Sequence, residues 1–350
     1  LKNSTAHRIV KALPGVGGLM DSAAETIAGS ALYLRIMFMG MVPNMVYNVG
    51  SAILRAMGDS KRPLYFLIVA CLSNVVLDLV FVLVFKMGIA GVAIASILAQ
   101  AISAVMVVMS LSAESMEYRF RFRQMRFEGD ILSRTIRIGL PAGFQSIMYS
   151  LSNMLIQASV NRFGTDTVAS WEVLGKVDGI NWMILGALGI ASMTFVGQNY
   201  GAGRLDRIQK SLKLSLLIGV CISIVFGGAL LLFGWPLFGL FTSDDTVLAM
   251  SMQLLWYFAP FYWMFVPIEI ISGALRGMGD TLIPTIITAT GICVFRVAWI
   301  YTVVPLHNSM FTVSLSYPIS WVLTAIAFAI YYMIARKKLI ANAPKPRTAE

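Results

Sequence analysis

Three polar side chains inside apolar segments have the chemistry of a cation site. Asn74 and Asp78 lie four residues apart, which places them on one face of a helix. Ser96 lies at a similar depth in the next apolar segment. A carboxylate, an amide and a hydroxyl offer the oxygen ligands that could bind Na⁺, and Asp78 could instead take up a proton. The alternative is that Asn74 and Asp78 only hydrogen-bond neighbouring helices.

Two further acids lie inside apolar segments of the second half. Glu269 lies seven residues before Arg276, which is about 10 Å from the end of its segment at the rise of a helix. Asp178 and Arg296 lie at comparable depths in two other segments, so they could form a buried ion pair. An ionisable side chain in a membrane span costs several kcal/mol and by default marks a pathway or a partner. We therefore expect Asp78, Glu269 and Asp178 to act in cation coupling, with a purely structural role as the alternative.

Amide and aromatic side chains also lie within the apolar segments. Together they suit a cavity for flat, amphipathic and often cationic molecules, through stacking and cation–π contacts. Each aromatic side chain alone could equally pack in the core or lie at the membrane interface. The candidate substrate-contacting residues are Asn44, Asn48, Gln145, Asn153, Gln157, Asn181, Trp182, Tyr257, Tyr262 and Trp263.

The elements that hold these residues must cross a membrane. Of the 350 residues, 58% are hydrophobic and only 13% are charged, whereas soluble domains carry about 25% charged residues. Nine stretches reach the roughly 20 apolar residues of a transmembrane helix, and a helix is required because an open sheet leaves backbone groups unsatisfied in lipid. The fold class is therefore an all-α membrane protein, a polytopic helical bundle. The stretches are 30–54, 64–85, 88–111, 135–160, 173–198, 212–234, 247–272, 282–304 and 311–334.

The basic residues predict the orientation of these spans. The net charge is +10, and 19 of the 27 Lys and Arg residues fall in loops or tails on one side of the spans. Cytoplasmic loops carry the excess of Lys and Arg, so this side, with the C-terminus, is predicted to be cytoplasmic. An odd number of spans then places the N-terminus outside. Because the cytoplasmic loops account for most of the positive charge, this charge is not a sign of a nucleic-acid partner, and we expect none.

A repeated segment divides the chain into two related halves. Residues 51–63 (Ser-Ala-Ile-Leu-Arg-Ala-Met-Gly-Asp-Ser-Lys-Arg-Pro) precede residues 272–284 (Ser-Gly-Ala-Leu-Arg-Gly-Met-Gly-Asp-Thr-Leu-Ile-Pro) by 221 positions and share seven identities. Each copy ends one span, turns at Met-Gly-Asp and begins the next span at Pro. Gly permits the tight reversal, Asp favours the turn, and Pro is tolerated in a first helical turn. Both copies face the cytoplasm, which predicts parallel repeats of the kind found in secondary transporters.

The same offset predicts the domain organisation. Three helices that the repeat demands have no counterpart before the first span, and residues 1–13 are polar where 222–234 are apolar. We therefore expect a truncated product, or an N-terminal segment outside the original frame. The predicted divisions are an atypical N-terminal segment (1–19), a partial N-terminal lobe of three helices (20–116), a cytoplasmic linker (117–134), a six-helix C-terminal lobe (135–335) and a cytoplasmic tail (336–350).

These motifs together resemble the multidrug and toxic compound extrusion (MATE) transporters. The resemblance rests on Arg-Ala-Met-Gly-Asp-Ser at 55–60, Gly-Ala-Leu-Arg-Gly-Met-Gly-Asp-Thr at 273–281 and Val-Gly-Gln-Asn-Tyr-Gly-Ala-Gly-Arg at 196–204, with Asn-Val-Val-Leu-Asp at 74–78. It implies two six-helix lobes, of which this chain would hold the last three helices of the first and all of the second. It also implies that Asn74 and Asp78 belong to a first-lobe cation site, completed by an aspartate on a helix that is absent here.

The function predicted from these features is a cation-coupled antiporter, using Na⁺ or H⁺, that exports amphipathic, often cationic drugs or metabolites. Two alternatives stay open: an inactive remnant of such a transporter, and a lipid-linked oligosaccharide flippase of the same superfamily. An enzyme is not expected, because the two histidines lie near the outer surface and no span carries a catalytic set. We expect no cofactor besides the coupling ion, no bound metal other than Na⁺ at Asn74 and Asp78, and a monomer in the cell membrane.

Overall fold

The computed structural model describes residues 29–113, 120–124 and 126–341. The predicted N-terminal segment and most of the predicted tail lie outside the described residues. The chain divides into two compact units between Arg126 and Phe127, a position inside the predicted linker. Unit 1 precedes this division and unit 2 follows it.

The described part of unit 1 contains four α-helices. They are α1 (Gly29–Met39), α2 (Met41–Ala56), α3 (Lys61–Leu79, continued by a π-helical turn at Val80–Val84) and α4 (Gly88–Ser112). A 3₁₀ turn at Phe122–Gln124 follows them. The helix α4 packs against both α2 and α3, so it forms the centre of the unit. Large apolar side chains on the outer faces are exposed, as required of helices whose solvent is lipid.

Unit 2 contains eight α-helices within the residues that the structure describes, joined by short irregular turns. They are α5 (Gly129–Val160), α6 (Thr165–Gly201), α7 (Leu205–Phe238), α8 (Asp245–Phe258), α9 (Val266–Gly277), α10 (Leu282–Thr288), α11 (Phe295–Thr302) and α12 (Met310–Ala341). A 3₁₀ turn at Ala259–Met264 joins α8 to α9, and a π-helical turn at Ala289–Val294 joins α10 to α11. These two pairs each form one span, Asp245–Gly277 and Leu282–Thr302.

All nine stretches predicted as spans are helical in the part of the chain that the structure describes. Seven of the resulting helical segments are long and apolar enough to cross a membrane, and the bent pair α1–α2 forms an eighth. The ninth, α5, is long enough at 32 residues, but it is not among the helices whose composition is apolar enough for a membrane span. The all-α membrane fold predicted from the sequence is therefore confirmed.

Proline residues interrupt two of the spans that the sequence predicts as continuous. The axis bends by 46° between α1 and α2, where Pro43 cannot donate a backbone hydrogen bond to the preceding turn. Pro260 likewise lies at the start of the 3₁₀ turn between α8 and α9, and Pro267 lies at the start of α9. The second of these breaks lies shortly before Glu269 in the chain.

The two repeated turns have the same backbone geometry. Gly58 has a φ of 91° and Gly279 a φ of 90°. In each copy the aspartate N–H donates to a carbonyl five residues earlier, Asp59 to Leu54 at 2.9 Å and Asp280 to Leu275 at 3.0 Å. This is the helix ending that a left-handed glycine allows. The repeat inferred from the sequence is therefore present in the structure as a repeated turn.

We expect Gly279→Ala to lower the stability of the folded chain by about 1–2 kcal/mol, the cost of a left-handed conformation for a residue with a Cβ atom. An added Cβ atom would meet nothing within 4 Å at Gly279 or at Gly228 inside α7, so only the backbone conformation differs between the two sites. Thermal unfolding in detergent should therefore show a loss for Gly279→Ala and none for the control Gly228→Ala. Equal behaviour of the two variants would contradict the turn geometry.

Glycines let α6 and α9 approach each other closely. An added Cβ atom at Gly197 would lie 3.2 Å from the carbonyl oxygen of Gly277, and Gly273 lies directly against the backbone of Gly189. Ser192 on α6 also donates to the carbonyl of Ile270 on α9 at 3.1 Å. Small residues at helix interfaces are a common means of association in membranes. This contact holds the acidic residue of α9 against α6.

Candidate functional site

A cavity of about 450 Å³ lies inside unit 2. Its walls come from α5, α6, the α8–α9 region, α11 and α12, so five parts of the unit converge on one space. A cavity of this size fits the range of small-molecule sites. The lining residues are Tyr149, Asn153, Ile156, Gln157, Trp171, Leu174, Gly175, Asp178, Trp182, Gly186, Phe258, Phe265, Glu269, Arg296 and Tyr317.

Asp178 projects from α6 into this cavity and is buried. Its carboxylate accepts a hydrogen bond from the hydroxyl of Tyr262 in the 3₁₀ turn. Tyr262 is fully buried and is not among the lining residues, so it supports Asp178 from behind rather than facing the cavity. The ion pair considered between Asp178 and Arg296 is wrong, because the two side chains have different partners.

Glu269 lies in the first turn of α9, two residues after Pro267. Its Oε2 atom would lie 2.8 Å from a Cβ atom added at Gly189, so the glycine provides the room that the carboxylate occupies. Among the residues that the structure describes, none donates a hydrogen bond to this carboxylate or lies within ion-pair distance of it. The positive end of the α9 dipole favours a negative charge at this position. Glu269 is therefore a lining carboxylate without a hydrogen-bond or ion-pair partner among the described residues.

Arg296 follows the π-helical turn and is 4% exposed. Its Nε donates to the hydroxyl of Ser320 at 3.0 Å. The guanidinium carbon lies 3.9 Å from the centre of the Tyr317 ring, which is a cation–π contact. The cavity consequently contains both acidic and basic side chains.

Aromatic rings form one wall of the cavity. Trp182 packs edge-on against Phe265 with ring centres 4.9 Å apart, and Trp171 packs against Tyr317 at 5.8 Å. Trp321 is fully buried behind them and contacts the rings of five neighbours. These neighbours are Trp182, Phe258, Tyr262, Phe265 and Tyr317.

The remaining residues predicted in unit 2 to contact substrate fall into two groups. Asn153, Gln157 and Trp182 line the cavity. Gln145 is buried and accepts from Thr285 at 3.4 Å, while Asn181 is fully buried with both amide atoms unpartnered in the described part of the chain.

Two of the predicted aromatic residues lie away from this cavity. Tyr257 packs against Phe311 with ring centres 4.9 Å apart and lines a smaller, separate cavity of about 200 Å³. Trp263 is exposed and donates to the carbonyl of Pro260 at 3.0 Å. Both side chains therefore have local roles in this structure.

The polar residues predicted in unit 1 form no assembled site among the described residues. Asn74 Nδ2 and Asp78 Oδ1 are buried atoms without hydrogen-bond partners there, and no hydrogen bond joins them to Ser96. Asn44 and Asn48 lie on α2 and bond to each other at 2.7 Å. No group of three or more His, Cys, Asp or Glu residues in the described ranges could hold a metal ion. A sodium site at Asn74 and Asp78 stays a prediction.

Sequence reasoning missed several lining residues, including Tyr149, Phe258, Phe265 and Tyr317. Their types occur throughout membrane helices, so nothing in the sequence separates them from ordinary packing residues. Arg296 had a usable signal, because a charge within an apolar segment requires a partner or a polar cavity.

Comparisons with known proteins agree on one family. A family model described as MatE matches residues 15–80 and 141–302. The "Probable multidrug resistance protein YoeA" of Bacillus subtilis (strain 168) is 28% identical over 337 residues, which cover 91% of this chain and 71% of that protein. An "FAD transporter" of Shewanella oneidensis is 27% identical over 227 residues, covering 62% of this chain and 49% of that protein.

Solved structures share the fold at low identity. The structure titled "Crystal structure of MATE in complex with MaD5" has a TM-score of 0.82 and 19% identity, over 94% of this chain and 74% of that one. A "MOP superfamily transporter from Pyrococcus furiosus Vc1" also has a TM-score of 0.82 and 19% identity, over 88% of this chain and 70% of that one.

Proposed function

The chain belongs to the MatE family of integral membrane transporters, and from this premise we propose that it exports amphipathic small molecules in exchange for Na⁺ or H⁺. The observation that carries the proposal is the cavity of unit 2, which both aromatic and charged side chains line. The names of its relatives, multidrug resistance proteins and a flavin-nucleotide transporter, are consistent with flat, amphipathic cargo.

The aromatic wall would bind the cargo and the acids would couple it to the cation. Trp171, Trp182 and Phe265 present ring faces and edges on which a flat molecule can stack. Glu269 and Asp178 supply negative charge within the same space. The cation and the substrate would compete for these two acids. Such competition is the basis of antiport.

Coupling also requires two conformations with different affinities for the cation. In the proposed cycle, the cation binds more tightly to the acids in the state that releases substrate. Asp78, with Asn74 and Ser96, offers a second candidate position for the ion in unit 1. The basic loops support an inner-membrane location with a cytoplasmic C-terminus.

Tryptophan fluorescence tests the proposal directly, because two of the chain's seven tryptophans line the cavity. We expect rhodamine 123 to quench the fluorescence of the purified chain, and Na⁺ or acidification to reverse the quenching. Quenching should weaken in a variant with Trp171→Phe and Trp182→Phe, and Trp321, which packs against Trp182, should account for part of the quenching that remains. It should persist in Trp263→Phe, since Trp263 lies outside the cavity.

Two results would count against the proposal. Quenching unaffected by either cation would remove the competition on which antiport depends. Quenching that is as strong without Trp171 and Trp182 as in the wild-type chain would place the binding site elsewhere.

A further inference from the structure

Arg296 is a buried cation with unused hydrogen-bond donors. A guanidinium group has five N–H donors on three nitrogen atoms, and here only Nε has a partner, the hydroxyl of Ser320. The two terminal nitrogens make no hydrogen bond with the part of the chain that the structure describes. Because Arg296 also lines the cavity, these donors are available to a molecule inside it.

No carboxylate of the described residues neutralises this charge. Asp178 accepts a hydrogen bond from the hydroxyl of Tyr262, and Glu269 lies against Gly189 of α6. Neither acid lies within 4 Å of the guanidinium nitrogens, the limit for an ion pair. The partners of Arg296 are the neutral Ser320 and the ring of Tyr317. A buried arginine whose neighbours leave its charge uncompensated favours an anionic ligand.

The two signs of charge come from different walls of the cavity. Arg296 and Tyr317 belong to α11 and α12, whereas Asp178 belongs to α6 and Glu269 to α9. The aromatic side chains Trp171, Trp182 and Phe265 complete the lining. A flat molecule could therefore place an anionic group at Arg296 and a basic group at the acids, with its ring system against the aromatic side chains.

We propose that Arg296 binds an anionic group of the transported molecule, a carboxylate or a phosphate, and that the preferred cargo is an aromatic zwitterion or anion rather than a simple cation. This inference rests on the proposed function, since it assigns a substrate class to the same cavity. Arginine suits the role because its planar fork matches both anions in two-point geometry.

Matched pairs of probes separate the effect of charge on binding from the effect of shape, and they distinguish a carboxylate from a phosphate. Rhodamine 110 carries a free carboxylate, and rhodamine 123 is its methyl ester. Flavin mononucleotide carries a phosphate that riboflavin lacks. Binding of all four probes to the full chain is measured by quenching of tryptophan fluorescence, at one pH and one salt concentration.

The wild-type chain should bind at least one anionic probe, rhodamine 110 or flavin mononucleotide, about fivefold or more tightly than the matching probe without the anionic group, rhodamine 123 or riboflavin. Arg296→Gln should weaken binding of that anionic probe about tenfold or more, the effect of losing a hydrogen bond between charged groups. The same variant should change binding of the counterpart by less than about twofold. Arg207→Gln, an exposed arginine on α7, is the matched control and should change neither.

Arg296→Lys provides a second test in case the glutamine variant does not fold. It keeps the charge but not the fork, so it should retain part of the preference for the anionic probe. The wild-type comparison needs no variant at all, and equal or weaker binding of both anionic probes by the wild-type chain would overturn the inference. So would an equal loss of both members of a pair in Arg296→Lys.

The outcomes also separate this inference from the proposed function. Binding of the ester and of riboflavin without any preference for their anionic counterparts would overturn the role of Arg296 and leave the proposed function standing. Binding of none of the four probes would count against both.

Discussion

We expect Glu269→Gln to abolish gradient-driven transport while leaving the chain folded and inserted. Glutamine keeps the size and most of the hydrogen-bonding capacity of glutamate but removes its charge. The carboxylate lines the cavity and has no partner among the described residues. Removal of the charge should therefore affect cation binding far more than packing.

The expected effect of this variant has two parts. Efflux of rhodamine 123 from reconstituted vesicles should fall to the rate of empty vesicles under either gradient. Release of bound probe by Na⁺ or acid, followed by tryptophan fluorescence, should weaken about tenfold or more, as expected when a charged ligand to a cation is lost.

Glu172→Gln is the matched control for this change. Glu172 lies on α6 and is exposed, so the same chemical substitution occurs outside the cavity. Its efflux and cation response should match those of the wild-type chain. Unchanged transport in Glu269→Gln would remove Glu269 from the coupling mechanism.

Trp321→Ala should cause a large loss of stability in unit 2. The indole is fully buried and contacts five aromatic rings. Truncation of a buried tryptophan to alanine typically costs about 3–5 kcal/mol, because neighbours collapse only partly into the space. Thermal unfolding in detergent, followed by loss of soluble folded protein, measures the effect.

Two companion variants make this prediction specific. Trp321→Phe should cost much less, since it keeps an aromatic ring and removes an indole N–H that has no partner in the described structure. Trp256→Ala, at a site that is 58% exposed on α8, should have little effect. Equal melting temperatures for Trp321→Ala and Trp256→Ala would show that the aromatic cluster does not stabilise unit 2.

The fold was predictable because its strongest signals are local. Spans follow from the length of apolar stretches, and the repeated Met-Gly-Asp turn follows from residues that favour one backbone geometry. The breaks at Pro43 and Pro260 were less predictable, because proline bends some membrane helices and is accommodated in others. Pro318, for example, lies inside the continuous helix α12.

The site was only partly predictable, because the depth of a residue along its helix does not determine the direction in which its side chain points. Asp178 and Arg296 lie at comparable depths, yet their side chains have different partners. The π-helical turn at Ala289–Val294 changes the rotational register just before Arg296, and an ideal helix drawn from the sequence misses this change.

The two repeated turns also show that a shared sequence motif does not determine the partners of its side chains. Asp59 accepts from the backbone N–H of Lys61 at 3.1 Å, whereas its counterpart Asp280 accepts from the hydroxyl of Tyr331.

Efflux measured under one gradient at a time tests the account most directly. Vesicles containing the chain and loaded with rhodamine 123 are given either a Na⁺ gradient or a proton gradient, with an ionophore that dissipates each as the control. We predict that at least one gradient drives export against the probe's own concentration difference, and that the matching ionophore abolishes it. Export that proceeds equally without any gradient, or no export under either, would contradict cation-coupled antiport.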